Sequence, residues 1–95
     1  MIKVIIERII ADELEPLYEA VVSEMLGDMT SAPGYLSGES FKDLGKPNHQ
    51  IIISNWRSVQ AWENWAESEK RKLFIEQIAP LLEEHEKYTI LESKR

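Results

Sequence analysis

Hydrophobic and polar residues alternate along this chain with a period that changes from one segment to the next. Two runs rich in β-branched residues, Ile2 to Ile10 and His49 to Trp56, predict strands with apolar residues on both faces. A strand of that kind must be covered on both sides. Weaker alternation from Tyr35 to Asp43 and the segment KYTILE from Lys87 to Glu92 predict two further strands.

Apolar residues recur at helical spacing between the first two predicted strands. This stripe runs from Leu14 to Met29, and Asp12 is the expected N-cap of the helix. Residues 31–34, with the sequence Ser-Ala-Pro-Gly, are expected to end it because proline cannot continue a helix. The pattern therefore predicts one amphipathic helix in this part of the chain.

The segment after Trp56 predicts a second helical region in two parts. Ser58 and Ser68 are the expected N-caps, and Pro80 is expected to break or restart the helix. All three tryptophans of the chain fall in or next to this region. The positions expected to point inward are Val59, Trp62, either Trp65 or Ala66, Leu73, Phe74 and Ile78.

The predicted order of elements is β-α-β-β-α-β, which defines an α+β fold of the ferredoxin-like type. In this plan an antiparallel sheet carries both helical regions on one face. The other face then exposes the second apolar side of the strands at 2–10 and 51–56, and self-association is the simplest way to cover it. We therefore expect a homodimer packed sheet against sheet, with Arg8 pairing at its interface.

Composition limits the classes of function that need to be considered. The 95 residues describe a single domain, and 17 acidic against 11 basic residues give a net charge of −6. Nucleic-acid binding is disfavoured because the chain lacks a basic face, and the run at 70–72, Lys-Arg-Lys, is expected to be a solvated helix surface. Cysteine chemistry is excluded because the chain contains no cysteine, and the histidines lack metal-ligand spacing. We expect a cytoplasmic protein without a membrane span or a signal peptide.

Two segments resemble the antibiotic biosynthesis monooxygenase family of dimeric α+β barrels. These are SAPGY at 31–35 and IIISNWRSVQAWENWAES at 51–68, where a strand, a tryptophan, a serine and a short tryptophan-bearing helix follow one another. The resemblance implies a homodimer with a cavity between helices and sheet in each protomer. It also implies oxidation of small flat aromatic compounds, such as anthrones or hydroquinones, by molecular oxygen without a metal or flavin cofactor.

One branch of that family binds and opens heme, and this chain is similar to it over the tryptophan-bearing helix. Trp65 falls where that branch has a cavity tryptophan. Glu7, however, stands where the branch has an asparagine, and Ile75 stands where it has the histidine ligand of the iron. Heme degradation by the mechanism of that branch is therefore not expected.

Three residues are the candidates for catalysis. Trp65 is expected either to line the cavity or to fill the core, and Asn55, pointing opposite to Trp56, could present its amide to a developing oxyanion. His49 could remove a proton because its unperturbed pKa lies near neutral pH. His85, by contrast, lies in an acidic run that is expected to be solvated. The expected substrate contacts are Trp62, Glu7, Tyr18 and Phe74.

Few ionisable residues occupy plausible cavity positions. This favours an alternative function from another class, a non-catalytic dimeric module that binds a small hydrophobic ligand. Heme binding without the usual ligand is a third possibility, which depends on His49. The direction in which Asn55, His49 and Glu7 point separates these hypotheses, because their convergence on a cavity beside Trp65 would favour catalysis.

Overall fold

The computed structural model describes residues 1–94 as one antiparallel sheet covered on one face by helices. This is the expected α+β, ferredoxin-like architecture, with the second helical region divided into two helices and a short 3-10 turn. The elements in chain order are β1 (Ile2–Ile9), α1 (Glu15–Thr30), β2 (Tyr35–Lys42), β3 (His49–Trp56), α2 (Val59–Ala66), α3 (Glu69–Ile78), the 3-10 turn (Ala79–Leu81) and β4 (Lys87–Glu92).

The strands lie in the order β2-β3-β1-β4, so the two most apolar strands occupy the centre of the sheet. In the central pair Val4 lies opposite Ser54 and Ile5 lies opposite Ile53. The predicted strands are thus confirmed to within one residue at each end. Two predicted last residues lie outside the ladders: Ile10 of β1, which forms an isolated bridge to Leu82, and Asp43 of β2.

The two faces of the sheet differ in burial. Towards the helices, Ile2, Val4 and Ile6 of β1 are buried, together with Trp56 of β3. The opposite side, which we call the open face, is only partly buried. Its central residues are Lys3, Ile5, Glu7 and Ile9 of β1 and His49, Ile51, Ile53 and Asn55 of β3.

The start of α1 differs from the prediction. Asp12 is not the N-cap, because Glu13 adopts a positive φ of 70° and no helix can pass through that conformation. The helix begins at Glu15, with Leu14 at the cap position and no side-chain cap. Its 16 residues form the longest helix in the described chain, and no helix there is both long and apolar enough to cross a membrane.

Serine caps fix the two shorter helices as expected. The Ser58 hydroxyl accepts a hydrogen bond from the Ala61 N–H at 3.1 Å, and the Ser68 hydroxyl accepts one from the Arg71 N–H at 3.2 Å. The inward positions were correct for Trp62, Trp65, Phe74 and Ile78, which are buried. They were wrong for Val59 and Leu73, which are exposed, and the buried face of α3 carries Arg71, which was not predicted to point inward.

The SAPGY segment joins α1 to β2 and rests on α2. Gly34 has a φ of 88°, and its carbonyl accepts a hydrogen bond from the Arg57 N–H at 2.8 Å. A Cβ added to Gly34 would lie 2.4 Å from the Cβ of Ala61. Glycine is thus required here both for the left-handed backbone and for the close approach of α2.

Candidate functional site

A buried ion pair lies between the sheet and the helices. Arg8, on the helix side of β1, is 3% exposed and donates from Nε to Oε1 of Glu86 at 2.9 Å. Its Nη2 atom is also 2.9 Å from the same oxygen, and its Nη1 donates to the Tyr18 hydroxyl at 2.9 Å. The expectation that Arg8 pairs at a dimer interface is wrong, because β1 turns this side chain towards the helices of its own protomer.

A second guanidinium group completes this arrangement. Arg71 of α3 donates from Nη2 to Oε2 of Glu86, and its guanidinium carbon lies 5.4 Å from the centre of the Trp62 ring. Both arginines are buried, so the expectation of a solvated surface at 70–72 is wrong for Arg71. We call Arg8, Arg71 and Glu86 the buried charge cluster.

The charges in this cluster do not cancel. Two guanidinium groups face one carboxylate, which leaves one unit of positive charge between the sheet and the helices. Burial raises the pKa of Glu86, but the charges of Arg8 and Arg71 outweigh that effect and hold the pKa below its ordinary value. Glu86 is therefore ionised at neutral pH and serves as the counter-ion of both arginines.

A pocket of about 540 Å³ opens beside Glu86, between the end of α3 and the segment that leads into β4. Ile75, Ile78 and Leu82 give it apolar walls, while His85 and Glu86 supply polar atoms. A volume in this range suits a small organic ligand. We call it the edge pocket; its complete lining is Ile75, Ile78, Ala79, Leu82, Glu83, Glu84, His85 and Glu86.

All three tryptophans are buried in the hydrophobic core. Trp56 donates from its indole nitrogen to the Ser54 hydroxyl at 3.0 Å, and its ring meets that of Trp62 edge to face at 5.6 Å. Trp62 and Trp65 are 1% and 6% exposed. A pocket of about 270 Å³ borders Trp65, with Ala32, Ala61 and Ser68 also in its lining, but the Trp65 side chain itself is buried.

Asn55 lies on the open face, on the side of the sheet away from the tryptophans. Its amide nitrogen donates to the Ser37 hydroxyl at 3.0 Å, and its amide oxygen accepts from Lys3 Nζ at 2.9 Å. Both ends of the amide are therefore engaged. An oxyanion at this place would have to compete with Ser37 for the N–H groups.

His49 also lies on the open face, between two carboxylates. Its Nδ1 is 3.1 Å from Oδ2 of Asp43, and its Nε2 is 3.1 Å from Oε1 of Glu7. The hydrogen bond to Asp43 has the largest effect and that to Glu7 the next largest, and both raise the pKa of His49. The reason is that an imidazole can donate to both carboxylates only when it carries both protons. The same bond lowers the pKa of Asp43. Both ring nitrogens of His49 are thus engaged by carboxylates, and neither is free to take a proton from a substrate.

The sheet separates the residues predicted to form the site into two groups. Trp62, Trp65, Tyr18 and Phe74 lie on the helix side, all buried. Asn55, His49 and Glu7 lie on the open face and do not converge beside Trp65. Within one protomer a substrate cannot touch both groups, because the sheet itself stands between them.

The buried charge cluster escaped prediction because its residues look like surface residues in the sequence. Arg71 sits between two lysines and Glu86 in an acidic run, both ordinary signs of a solvated helix surface. The helical spacing of the sequence did give one indication that Arg71 is buried. Arg71 is three residues before Phe74 and seven before Ile78, so it shares their buried helix face.

In the described chain no three acidic or histidine side chains are placed to hold a metal ion.

The four-stranded antiparallel sheet covered by helices on one face defines an α+β domain of the ferredoxin-like class. The sequence profile of the antibiotic biosynthesis monooxygenase family matches residues 1–77. The chain therefore belongs to that family, as the motifs at 31–35 and 51–68 indicated. No curated protein is significantly similar to it in sequence.

Solved structures share the fold over almost the full chain. An antibiotic biosynthesis monooxygenase is similar with a TM-score of 0.90 at 19% identity, and each chain covers 100% of the other. A conserved protein from Methanosarcina mazei Go1 has a TM-score of 0.91 at 13% identity, over 98% of this chain and 92% of that one. SnoaB, a cofactor-independent oxygenase from Streptomyces nogalater, has a TM-score of 0.86 at 11% identity, over 99% and 93%. At these identities the likeness establishes the fold.

Proposed function

We propose that the protein is a cofactor-independent monooxygenase that oxidises a small aromatic compound of the anthrone or quinol type with molecular oxygen, in the cytoplasm. Membership of the antibiotic biosynthesis monooxygenase family carries the proposal. It is supported by the fold shared with SnoaB, which is itself a cofactor-independent oxygenase. Fold similarity alone is a weak guide to activity, so the site must provide the chemistry.

The edge pocket is the proposed substrate site. Its apolar walls suit a flat ring system, and its volume of about 540 Å³ suits a compound of two or three fused rings. His85 lines the pocket and is the proposed proton acceptor, since an imidazole nitrogen can take up a proton from a bound substrate. The substrate must lose a proton before it can pass an electron to oxygen.

The overall reaction balances without an external reductant. At the reacting methylene carbon of an anthrone, two C–H bonds are broken and one C=O bond forms. One oxygen atom of O2 enters the product, and the other leaves as water with the two hydrogens. The substrate thus supplies both electron pairs, and the protein supplies binding, orientation and removal of the proton.

Two protomers are proposed to pack with their open faces together. Ile5, Ile9, Ile51 and Ile53 are only partly buried in the single chain, and Phe41 of β2 is 44% exposed. Covering this apolar surface with a second copy removes it from water. The bridged His49 and the hydrogen-bonded Asn55 would then lie inside the interface, where they would serve assembly and not catalysis.

A second candidate function is a non-catalytic module that binds a small hydrophobic ligand in the same pocket. The observation that favours it is that the candidate catalytic side chains already have ion-pair or hydrogen-bond partners within the protein. Glu86 is held by Arg8 and Arg71, His49 by Asp43 and Glu7, and both ends of the Asn55 amide are bonded.

Oxygen consumption by chelator-treated protein tests the proposal against a panel of anthrones, naphthoquinols, phenols and heme. Ala79→Phe should fill the pocket and abolish uptake, whereas Ala20→Phe, a change at an exposed position of α1, should preserve it. Binding without uptake, lost in Ala79→Phe, would favour the non-catalytic module. Uptake that survives Ala79→Phe would place the reaction elsewhere, and binding of heme alone would support the third possibility.

A further inference from the structure

The buried charge cluster has one more cation than it has anions. Glu86 contacts Arg8 through Oε1 and Arg71 through Oε2, and no other ionised side chain of residues 1–94 pairs with either arginine. An uncompensated charge between sheet and helices is costly in a medium of low dielectric constant. A second anion at this place would remove that cost.

Arg71 is the member of the cluster that has hydrogen-bond donors to spare. Arg8 uses Nε, Nη1 and Nη2, whereas the side chain of Arg71 donates only from Nη2 to acceptors in the described chain. No buried side-chain nitrogen or oxygen there lacks a partner, so the unused Nε and Nη1 of Arg71 reach the accessible surface. They are available to a ligand.

The position of Arg71 relates these donors to the edge pocket. Ile75 follows it by one turn of α3 and lines the pocket, as does Glu86, its ion-pair partner. Tyr88 lies two residues beyond Glu86, is 54% exposed, and its ring centre is 5.7 Å from that of Trp62. An aromatic ring could therefore lie against Tyr88 and the pocket wall with a substituent directed at the guanidinium of Arg71.

We propose that Arg71, which contacts the pocket residue Glu86, forms an anion-recognition site beside the edge pocket that selects aromatic ligands carrying an ionised oxygen, a carboxylate or a phenolate. The guanidinium plane is suited to such an oxygen because it offers paired N–H donors. Glu86 can give up its bond to Arg71 and stay anchored, since Arg8 holds its other oxygen through two nitrogens. This inference rests on the proposed function, because it names the ligand class of the same pocket.

The charges at the mouth of the pocket add a second element of selectivity. Glu83 and Glu84 line it and are exposed, so they repel a small free anion. An aromatic anion gains the burial of its ring against Ile75, Ile78 and Leu82, which inorganic phosphate cannot. The site should therefore discriminate against phosphate as well as against neutral aromatics.

Calorimetric titration with matched ligands tests the proposal. Naphthoate against naphthamide isolates the carboxylate, and an acidic nitrophenol above its pKa against its methyl ether isolates the phenolate. The wild-type protein should bind at least one anion about tenfold more tightly than its neutral partner, the usual effect of a charge-assisted hydrogen bond. Equal binding within both pairs, or no binding by either anion, would overturn the proposal.

Variants assign the preference to Arg71. Arg71→Gln should remove the discrimination, whereas Lys72→Gln, the same charge change on the exposed face of α3, should retain it. Glu86→Gln should tighten anion binding, because it leaves both guanidinium groups without their carboxylate. Thermal unfolding verifies that each variant is folded. Discrimination that persists in folded Arg71→Gln would refute the assignment to Arg71. If Arg71→Gln does not fold, Glu86→Gln is the second test, because a merely structural cluster would not bind the anion more tightly after this change.

The binding readout is independent of turnover. Anion selectivity without oxygen uptake would sustain this site and refute the oxygenase. Oxygen uptake with neutral aromatics, unchanged in Arg71→Gln, would sustain the oxygenase and refute this site.

Discussion

His49 and Glu7 lie 3.1 Å apart, from Nε2 to Oε1, on the face of the sheet that no helix covers. They come from neighbouring strands and are offset by two positions, since Glu7 lies opposite Ile51. The other ring nitrogen of His49 faces Asp43. The pair therefore forms part of a carboxylate–imidazole–carboxylate bridge that joins β1, β3 and the loop after β2.

Replacing His49 by glutamine should destabilise the protein in a pH-dependent manner. The hydrogen bonds that His49 donates to Asp43 and Glu7 raise its pKa in the folded state above its value in the unfolded chain. Its contribution to stability is thus complete below about pH 6.5 and is lost as the pH rises through the raised pKa. Thermal unfolding from about pH 5.5 to pH 9 should show a difference in Tm between wild type and His49→Gln that shrinks as the pH increases.

His85→Gln is the matched control for this experiment, because it removes an exposed imidazole with no hydrogen bond among residues 1–94. A Tm difference for His49→Gln that stays constant or grows with pH would contradict the bridge.

Replacing Glu86 by glutamine should cost stability as well as change ligand binding. The substitution leaves the buried guanidinium groups of Arg8 and Arg71 without their carboxylate, and breaking such a cluster costs about 3 kcal/mol. In a domain of this size that loss lowers Tm by more than about 10 °C. Glu83→Gln, an exposed change in the same segment, should alter Tm by no more than a few degrees.

Lowering the pH should abolish the difference in Tm between the wild type and Glu86→Gln. The pKa of Glu86 is lowered in the folded protein, so its stabilising effect is present above the ordinary glutamate value and lost as the pH falls through the lowered one. The two Tm values should therefore approach each other below about pH 4. Curves that remain parallel down to pH 3 would show that the carboxylate is not the stabilising group.

The elements were predictable because hydrophobic period and capping residues determine them locally. Ser58 and Ser68 cap the helices that they were expected to cap, and the strand from His49 to Trp56 was predicted with its bounds. The N-cap of α1 was predicted wrongly as Asp12, because Glu13 has a positive φ in the turn into α1 and no glycine in the sequence indicates that turn. Local rules are sufficient where a residue and its partners lie within one turn or one ladder.

The site was less predictable because its partners are distant in sequence. Arg8 and Glu86 are separated by 78 positions, and nothing in either neighbourhood indicates the other. The strand period correctly placed Glu7 and Arg8 on opposite faces, but it could not say which face the helices cover. That choice decides which charged residue is buried, and it follows from the packing of Tyr18 and Phe74 over Arg8.

Replacing Gly34 by alanine should destabilise the fold through two separable effects. The added methyl group would lie 2.4 Å from the Cβ of Ala61, and a φ of 88° is strained for alanine. Together these effects should cost about 2 kcal/mol or more. In the Ala61→Gly background the same change should cost less, because the steric conflict is gone and only the backbone strain remains. Equal costs in both backgrounds, measured by urea unfolding, would exclude the contact with α2 as a cause.

A lysine at Ile53 should prevent the proposed association through the open face. Ile53 lies between Ile5 of β1 and Glu39 of β2, near the middle of that face. A lysine there would lose the hydration of its ammonium group when the second copy packs against it, which costs free energy. Leu73→Lys introduces the same group on the outer side of α3, where the side chain is 56% exposed, and serves as the control. Sedimentation equilibrium should report dimers for the wild type and Leu73→Lys and monomers for Ile53→Lys. Dimers in all three proteins would move the interface to another surface, and monomers in all three would refute the dimer.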